Sequence, residues 1–334
     1  MATTGLYANT GLATMYDIAA RLGKDGKVAE QRVVELQAQQ NKIWEVFPMK
    51  PCNEGTKETV LLRAELPPTA WRMINKGRKP TKSAVKQASY TTGGKEEYSE
   101  VDERLLQINN NSNTWRLSEA TSKQEAMSQD MCRTIIYGNE KINPAGFTGF
   151  DAHYGSKAAG IDSIWTDQII DAGGTGDNLT SLWIVTFGMD TVYGIHPAGI
   201  PAGYQYRDNG RVQMRDEDNG IFWGYQSQFN WDLGLAIRDP RYVVRLANID
   251  ITKRDNSTFI ENLIEAYGQI HNPDKGNTVI LCNRKVETYI NILASKKENV
   301  NLRIDEFGGK KITHFWTSPI LRTDAILNTE SQLV

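Results

Sequence analysis

The sequence predicts an α+β fold, and three features of its apolar pattern support this. Apolar residues over 113–137 recur at alternating steps of three and four, which is typical of one face of a long amphipathic helix. Between 181 and 251 the pattern favours strands separated by tight polar turns. Residues 257–326 follow an order of helix, strand, helix and extended chain. A long helix, a strand-rich region and a compact α/β unit are therefore expected.

The N-terminal region is predicted to be helical. Residues 15–47 give a short helix, a Gly-Lys-Asp-Gly break and then a longer helix. Pro48 and Pro51 end the second helix, because proline lacks a backbone N–H and its ring clashes with the preceding turn.

Residues 55–104 are predicted to form a long hairpin-like arm. Residues 58–66 favour a strand that leads outward, and 83–102 favour a return strand, a turn at Gly93-Gly94 and a second polar strand. The apolar residues are too few to form a separate core. The arm is therefore expected to lie outside any core.

The segment that joins these strands, LPPTAWRMINKGRKPTKS at 66–83, is called the tip below. Its prolines and its lack of a helix or strand period predict an extended excursion. It contains no acid, and its cations are Arg72, Lys76, Arg78, Lys79 and Lys82. Trp71 lies beside them, and an acidic stretch follows that includes Glu96, Glu97 and Glu100. Most charge runs are solvated loops, but exposed aromatic and Arg residues anchor interfaces, so we predict that the arm lies on another copy of the chain.

The clearest helix in the sequence covers residues 113–137. Its apolar stripe consists of Leu117, Ala120, Met127, Met131 and Ile135, joined by Gln124. Gly138 with Asn139 follows as a C-terminal stop. A helix of about six or seven turns is expected.

Strands and turns divide the rest of the chain. Strands are predicted at 181–188, 191–197, 220–239 and 241–251, with turns at 207–210 (RDNG) and 215–220 (RDEDNG). Beyond them, helices are predicted at 257–270 and 284–297, a buried strand at 277–283 and mostly extended chain at 312–326.

The composition is that of an ordinary globular protein, with 334 residues of which 40% are hydrophobic and 23% charged. A net charge of −2 argues against a dedicated nucleic-acid binder, because affinity for phosphates needs a surplus of Lys and Arg. No apolar run approaches the roughly 20 residues that span a bilayer, and the start has no charged region typical of a signal peptide. A soluble, unsecreted protein without a membrane partner is expected.

No motif predicts a catalytic, cofactor-binding or metal-binding residue. The four histidines share no metal-ligand spacing with one another or with the three cysteines, which we interpret as packing residues in a reduced compartment. The glycine-rich segment 171–178 lacks a phosphate-binding pattern and predicts a loop. Residues 215–220 resemble the start of a calcium loop, but a glycine replaces one acidic ligand, so a hairpin turn is favoured.

Six segments, in order over nearly the whole chain, together resemble one known family. They are LPPTAWRMINKG, EYSEVDERLLQI, EAMSQDMCRTIIYGNEKINPAGFTGF, SLWIVTFG, GLAIRDPRYVVRLANIDI and SPILRTDAIL. Their succession resembles the HK97-type major capsid proteins of tailed bacteriophages, in particular those of phages with short or otherwise varied tails. The strands at 220–251 precede the helix-strand-helix unit, whereas the commoner order is the reverse, so the segments look permuted.

The resemblance implies a division of the chain into the domains of that fold. These are an N-terminal arm at 1–54, an E-loop at 55–104, a P-domain at 105–140 and 220–256 with a spine helix at 113–137, a strand-rich P/A region at 141–219, and an A-domain at 257–334.

The resemblance also implies a structural function. The chain would assemble with itself into hexamers and pentamers of an icosahedral shell that encloses double-stranded DNA without sequence-specific binding. Implied partners are a portal protein and, as candidates, scaffolding and decoration proteins. The implied location is the virion capsid, with the host cytoplasm during assembly. Two other hypotheses stay open, a nucleic-acid-binding protein that uses the basic arm at 66–86 and a cytosolic enzyme.

Overall fold

The computed structural model describes residues 39–108, 113–157, 163–216, 218–252, 256–296, 301–307 and 310–333. The chain divides into two compact units. The larger unit comprises Gln39–Gly93, Met131–Ala202 and Asp232–Val334, and the described part of the smaller unit comprises Gly94–Asp130 and Gly203–Trp231. The long helix and two long strands each have residues in both units. The predicted domain division stays a prediction.

The described residues form thirteen strands and six α-helices. The strands are β1 (Met49–Pro51), β2 (Lys57–Glu65), β3 (Ala84–Asp102), β4 (Ile169–Asp171), β5 (Thr180–Phe187), β6 (Val192–His196), β7 (Gly203–Arg215), β8 (Ile221–Ile237), β9 (Val243–Ile249), β10 (Asn277–Cys282), β11 (Leu302–Phe307), β12 (Lys310–Phe315) and β13 (Ser318–Arg322). The helices are α1 (Glu103–Ile108), α2 (Asn113–Tyr137), α3 (Phe150–His153), α4 (Ser163–Thr166), α5 (Asn256–Gly268) and α6 (Arg284–Ala294).

The larger unit is built on a mixed sheet with the strand order β11-β12-β13-β10-β5-β6-β8. Strand β10 pairs antiparallel with β5 and parallel with β13, and β9 also pairs antiparallel with β5. Every residue of β5 and β9 is buried. A strand covered on both faces needs apolar side chains at successive positions, which explains the continuous apolar runs in these segments.

The predicted helix-strand-helix order of the C-terminal part is confirmed by α5, β10 and α6. The side chain of Asn283 caps α6 by accepting a hydrogen bond from the backbone N–H of Val286 at 2.9 Å. Val286, Ile290 and Leu293 are buried and lie on one face of the helix. The spacing of these residues therefore fixes which face packs on the sheet.

A buried arginine holds the C-terminal segment on the larger unit. The guanidinium of Arg245, on β9, donates to Asp151 Oδ1 at 2.6 Å, to Glu330 Oε2 at 3.0 Å and to Ser181 Oγ at 3.0 Å. Glu330 accepts a further hydrogen bond from the hydroxyl of Tyr137 at 2.5 Å. Because the buried charges are paired and hydrogen-bonded, the site tolerates their burial.

His153 occupies an aromatic site in the same unit. Its ring stacks on Trp165 at 4.9 Å and meets Tyr90 edge-on at 6.0 Å. Its Nε2 atom is buried and has no hydrogen-bond partner among the described residues. Burial lowers the pKa of His153 to about 4, against an opposing contribution from the charge of Glu140. The imidazole is therefore neutral at pH 7.

In the smaller unit, β7 and β8 form a long hairpin. Its turn confirms the prediction for 215–220, since Asp216 Oδ1 accepts the backbone N–H of Gly220 at 2.5 Å and Asn219 has a φ of 62°. A small core within this unit consists of Val101, Leu105 and Leu106, with Tyr225 packed against them.

The predicted turn at Gly93-Gly94 is wrong, because β3 continues through both residues. A Cβ atom at Gly93 would lie 2.9 Å from the carbonyl oxygen of Ala145 and 3.0 Å from the Cα of Gly146. The glycine therefore permits a close approach of two backbone segments and does not mark a turn.

The predicted turn at 207–210 is also wrong, because β7 continues through it. Gly210 has a φ of 71°, and its N–H donates to Asp208 Oδ1 at 2.9 Å. Arg116 pairs with the same carboxylate at 2.8 Å. The polar residues are thus accommodated as an irregularity within the strand.

The predicted helices at 15–47 lie largely outside the described residues, which begin at 39. In the described part of that segment, the structure has a single turn of 3-10 helix at Lys42–Glu45, so the prediction of a longer helix reaching residue 47 is wrong there. Asn41 pairs with Thr323 in an isolated β-bridge. Tertiary contact therefore decides the conformation of this stretch.

The expectation that residues 55–104 belong to no core is wrong for their two strands. Val60 and Tyr90 are buried in the larger unit, and Val101 is buried in the smaller unit. In contrast, every residue from 66 to 82 is exposed. Within the arm, only the tip is exposed outside any core as the sequence predicts.

Candidate inter-subunit surface

Glu58 fixes the base of the arm on β2. The residue is only 2% exposed, and its carboxylate accepts hydrogen bonds from Lys50 Nζ at 2.8 Å, from the backbone N–H of Asn53 at 2.8 Å and from the hydroxyl of Tyr193 at 2.9 Å. Burial acts to raise the pKa of Glu58, but the hydrogen bonds from these three residues outweigh it and the pKa is lowered. The first strand of the arm therefore leaves the larger unit from a rigid, charged base.

Tyr90 fixes the second strand of the arm. Its hydroxyl donates to the backbone carbonyl of Ile237 at 2.7 Å, inside the larger unit. Burial raises the pKa of Tyr90 well above its ordinary value, so the hydroxyl remains a donor. Both strands are thus held where they leave the unit, whereas residues 66–82 of the tip are exposed.

The tip presents large apolar side chains to solvent. Trp71 is 100% exposed, Ile74 is 91% exposed and Met73 is 69% exposed. The turn that carries two of them is closed by the backbone N–H of Lys76, which donates to the carbonyl of Met73 at 3.2 Å, with Asn75 at a φ of 63°. Exposed apolar side chains grouped in this way make the tip a candidate interaction site.

The two arginines of the tip are bonded within it. Arg78 donates from Nη1 to the carbonyl of Ala70 at 3.0 Å and from Nη2 to the carbonyl of Pro68 at 2.7 Å. Arg72 donates from Nε to the carbonyl of Lys76 at 3.2 Å. Both guanidinium groups therefore close the loop on itself.

The three lysines of the tip behave differently. In the part of the chain that the structure describes, the ammonium groups of Lys76, Lys79 and Lys82 make no hydrogen bond and no ion pair, and all three residues are exposed. The sequence groups these lysines with Arg72 and Arg78 as one basic tract, but the structure separates them by their contacts.

The acidic residues that follow the tip have partners inside the smaller unit. The pKa of Glu96 is lowered by hydrogen bonds from Tyr98 and Gln228. The contacts are Tyr98 OH to Glu96 at 2.5 Å, Gln228 Nε2 to Glu96, Lys123 Nζ to Glu97, and Gln226 Nε2 to Glu100 at 2.7 Å. Their carboxylates therefore brace β3 on its own unit, and any contact with another copy would be additional.

The predicted apolar stripe of α2 is divided between the units. Met127, Met131 and Ile135 are buried, and Ala120 is half-buried. The side chain of Leu117 lies outside the described part of the helix. Cys132 and Ile136 are also fully buried, so the apolar face near the helix end is wider than the stripe read from the sequence.

A pocket of about 440 Å³ in the smaller unit escaped the sequence analysis. Arg116, Tyr204, Tyr206, Asp208 and Phe229 line it, with the ring of Tyr204 stacked on Phe229 at 5.8 Å. Burial raises the pKa of Tyr204 to about 12. The available signal was the period-two placement of two tyrosines on β7, which puts both on one face of the strand.

Groups that could hold a metal ion were also sought. Within the described ranges, no cluster of three or more His, Cys, Asp or Glu side chains is arranged for this. Cys52, Cys132 and Cys282 are buried free thiols. In the same ranges, no helix has the length and apolar character needed to cross a membrane.

The mixed α+β architecture is that of the HK97-like phage capsid proteins, which defines the class of the protein. Residues 23–334 match the family model described as major capsid protein GP7. The chain belongs to this family of phage major capsid proteins, which form icosahedral shells. The resemblance inferred from the six sequence segments is thereby confirmed, whereas the permuted order stays a prediction.

The chain is also similar to solved structures. A chain of the near-atomic structure of bacteriophage Epsilon15 is 31% identical, with a TM-score of 0.78, and the match covers 98% of this chain and 99% of that chain. The holo-SrpI encapsulin complex from Synechococcus elongatus matches at 11% identity and a TM-score of 0.48, over 73% of this chain and 99% of that chain. The procapsid of bacteriophage JBD30 matches at 10% identity and a TM-score of 0.47, over 87% and 93%. No curated protein sequence matches.

Proposed function

We propose that the arm is the E-loop of the shell and that its tip docks on a neighbouring copy of the chain within hexamers and pentamers. The observation that carries this proposal is the exposure of Trp71, Met73 and Ile74 at the end of two anchored strands. Aromatic side chains with this exposure contribute strongly to binding when a partner buries them. Subunits of one sequence supply both the tip and the surface that receives it.

The remaining domain assignments follow the same proposal. They are an N-terminal arm at 1–54, a P-domain at 105–140 and 220–256 with α2 as its spine, a P/A region at 141–219 and an A-domain at 257–334. The support for the spine is the 25-residue length of α2 and the burial of its apolar face.

The shell would enclose double-stranded DNA without reading its sequence, and no catalytic step is expected of the chain. A portal protein would occupy the shell, and scaffolding and decoration proteins are further candidate partners. Assembly would take place in the host cytoplasm. A near-neutral composition supports a wall that does not bind DNA tightly, since strong binding needs many phosphate contacts.

The test is Trp71→Ala, compared with Ile142→Ala. Ile142 is a matched control because it is also a large exposed apolar residue, at 83%, and lies outside the arm. Loss of a buried interface aromatic is expected to weaken association by about 2–4 kcal/mol per contact. Sedimentation of the full-length protein should show particles for wild type and for Ile142→Ala, and unassembled subunits for Trp71→Ala.

The thermal unfolding of unassembled Trp71→Ala subunits should match wild type, since Trp71 is 100% exposed and is not packed against the described residues. A Trp71→Ala protein that assembles as wild type does, or that unfolds as a subunit, would contradict the anchor role.

A further inference from the structure

The cations of the tip fall into two classes that a count of charges does not distinguish. Arg72 and Arg78 donate hydrogen bonds to backbone carbonyls of the tip itself. Lys79 and Lys82 donate no hydrogen bond to any described residue. An account in which all five cations pair equally with a neighbouring copy is therefore incomplete.

We propose that Arg78 is a positioning residue, which holds the tip in the shape that presents Trp71 to a neighbouring copy, and that the lysines are the charges that face that copy. This inference rests on the proposed function of the tip. The two hydrogen bonds of Arg78 link the two sides of the loop, and this link is called the staple below.

The acceptors of Arg78 explain why a staple is needed. Pro67 and Pro68 have no backbone N–H, so this side of the loop cannot form a regular strand ladder with the returning side. The carbonyls of Pro68 and Ala70 instead receive the two Nη groups of Arg78, at 2.7 and 3.0 Å. The side chain thereby joins positions ten residues apart, and Thr81 adds a longer contact to the same Pro68 carbonyl at 3.4 Å.

The chemistry of the guanidinium makes the residue specific. Its planar group carries donors in a fixed fork, which can serve two carbonyls at once. A lysine at this position would keep the charge but would present a single ammonium on a flexible stem. The residues joined by these hydrogen bonds flank Trp71 along the chain, so the bonds limit the conformations of Trp71 before docking. Ordering a loop in advance strengthens binding.

The experiment compares the same charge-conserving substitution at two arginines of the full-length protein, Arg78→Lys and Arg303→Lys. Arg303 is a matched control because its side chain is 73% exposed and it lies outside the tip. The first readout is the rate of chymotryptic cleavage after Trp71 in unassembled subunits, followed by mass spectrometry. Exposed loops are cut in proportion to how often they open. Loss of one of the two charge-assisted bonds should raise the rate about tenfold in Arg78→Lys, and Arg303→Lys should leave it unchanged.

The second readout is assembly, measured by sedimentation. Arg78→Lys should lower the yield of particles, and Arg303→Lys should assemble as wild type does. Unchanged cleavage in Arg78→Lys would overturn the staple. Faster cleavage with normal assembly would overturn its positioning role, as would equal effects of the two substitutions.

Failure of the proposed function has a different signature. If Trp71→Ala subunits assemble normally, the tip does not anchor on a neighbour, whatever the cleavage rates show. If Trp71→Ala blocks assembly while Arg78→Lys changes neither readout, the docking function stands and the role of Arg78 is refuted.

Discussion

Replacing Glu330 with alanine should destabilise the folded subunit through a single buried ion pair. Glu330 Oε2 lies 3.0 Å from Nη2 of Arg245, whose side chain is only 5% exposed. The other carboxylate oxygen accepts the Tyr137 hydroxyl at 2.5 Å. The substitution leaves a buried guanidinium with one of its two carboxylate partners missing.

The magnitude follows from what remains around Arg245. Removing one partner of a buried ion pair costs about 3–5 kcal/mol when the other charge is left without compensation. Arg245 keeps Asp151 at 2.6 Å, but that carboxylate is 38% exposed and screened by water. We therefore expect a loss near the lower end, about 3 kcal/mol. Glu330→Gln keeps one acceptor oxygen but loses the charge and replaces the other oxygen with an amide NH2 group, so it should cost less, about 1–2 kcal/mol.

The assay is urea unfolding of unassembled subunits, with Asp305→Ala as the matched control. Asp305 also accepts from an arginine, Arg303, at 2.5 Å, but this pair lies at the surface. Exposed pairs contribute little, so the control should unfold as wild type does. The reasoning is refuted if Glu330→Ala is no more destabilising than Asp305→Ala, or if Glu330→Gln costs as much as Glu330→Ala.

Three further outcomes are expected. Because the pKa of His153 is lowered to about 4, the unfolded state binds more protons than the folded state below pH 6.5. The free energy of unfolding should therefore fall by roughly 2 kcal/mol between pH 7 and pH 4.5 in wild type relative to His153→Phe. Urea unfolding at both pH values measures this difference. Gly93→Ala should lose about 1–3 kcal/mol through overpacking, whereas Gly77→Ala, where a Cβ meets nothing within 4 Å, should unfold as wild type does. Lys79→Glu with Lys82→Glu should block particle formation in sedimentation, whereas intact particles with reduced salt-sensitive DNA binding would favour a nucleic-acid role for the tip.

The elements predicted correctly are those whose cause is local. β5 and β10 are short apolar runs bounded by polar residues, and helix α6 carries its cap and its apolar spacing within its own sequence. The whole of α2 was predictable because its stripe and its glycine stop lie within one continuous segment. Such signals require no knowledge of a distant partner.

The predictions that were wrong depend on contacts between distant segments. Gly93 reads as a turn residue, but its absent side chain makes room for the backbone at Ala145. Asp208 reads as part of a polar turn, but it is held within a strand by Arg116, which is 92 residues away along the chain. The pairing of Arg245 with Glu330 has no local signal at all, since 85 residues separate them.

The different roles of arginine and lysine in the tip also could not be predicted from the sequence. In the sequence, five cations without an acid form a single basic tract, and charge alone gives no reason to treat arginine and lysine differently. Pro67 and Pro68 supply that reason, because carbonyls in a stretch that cannot form a ladder need donors from side chains. A guanidinium can serve two carbonyls while an ammonium stays hydrated. The arginines therefore shape the loop, and the lysines carry the charge that remains for a partner. For this reason, substitutions that conserve charge test the tip more sharply than charge reversal does.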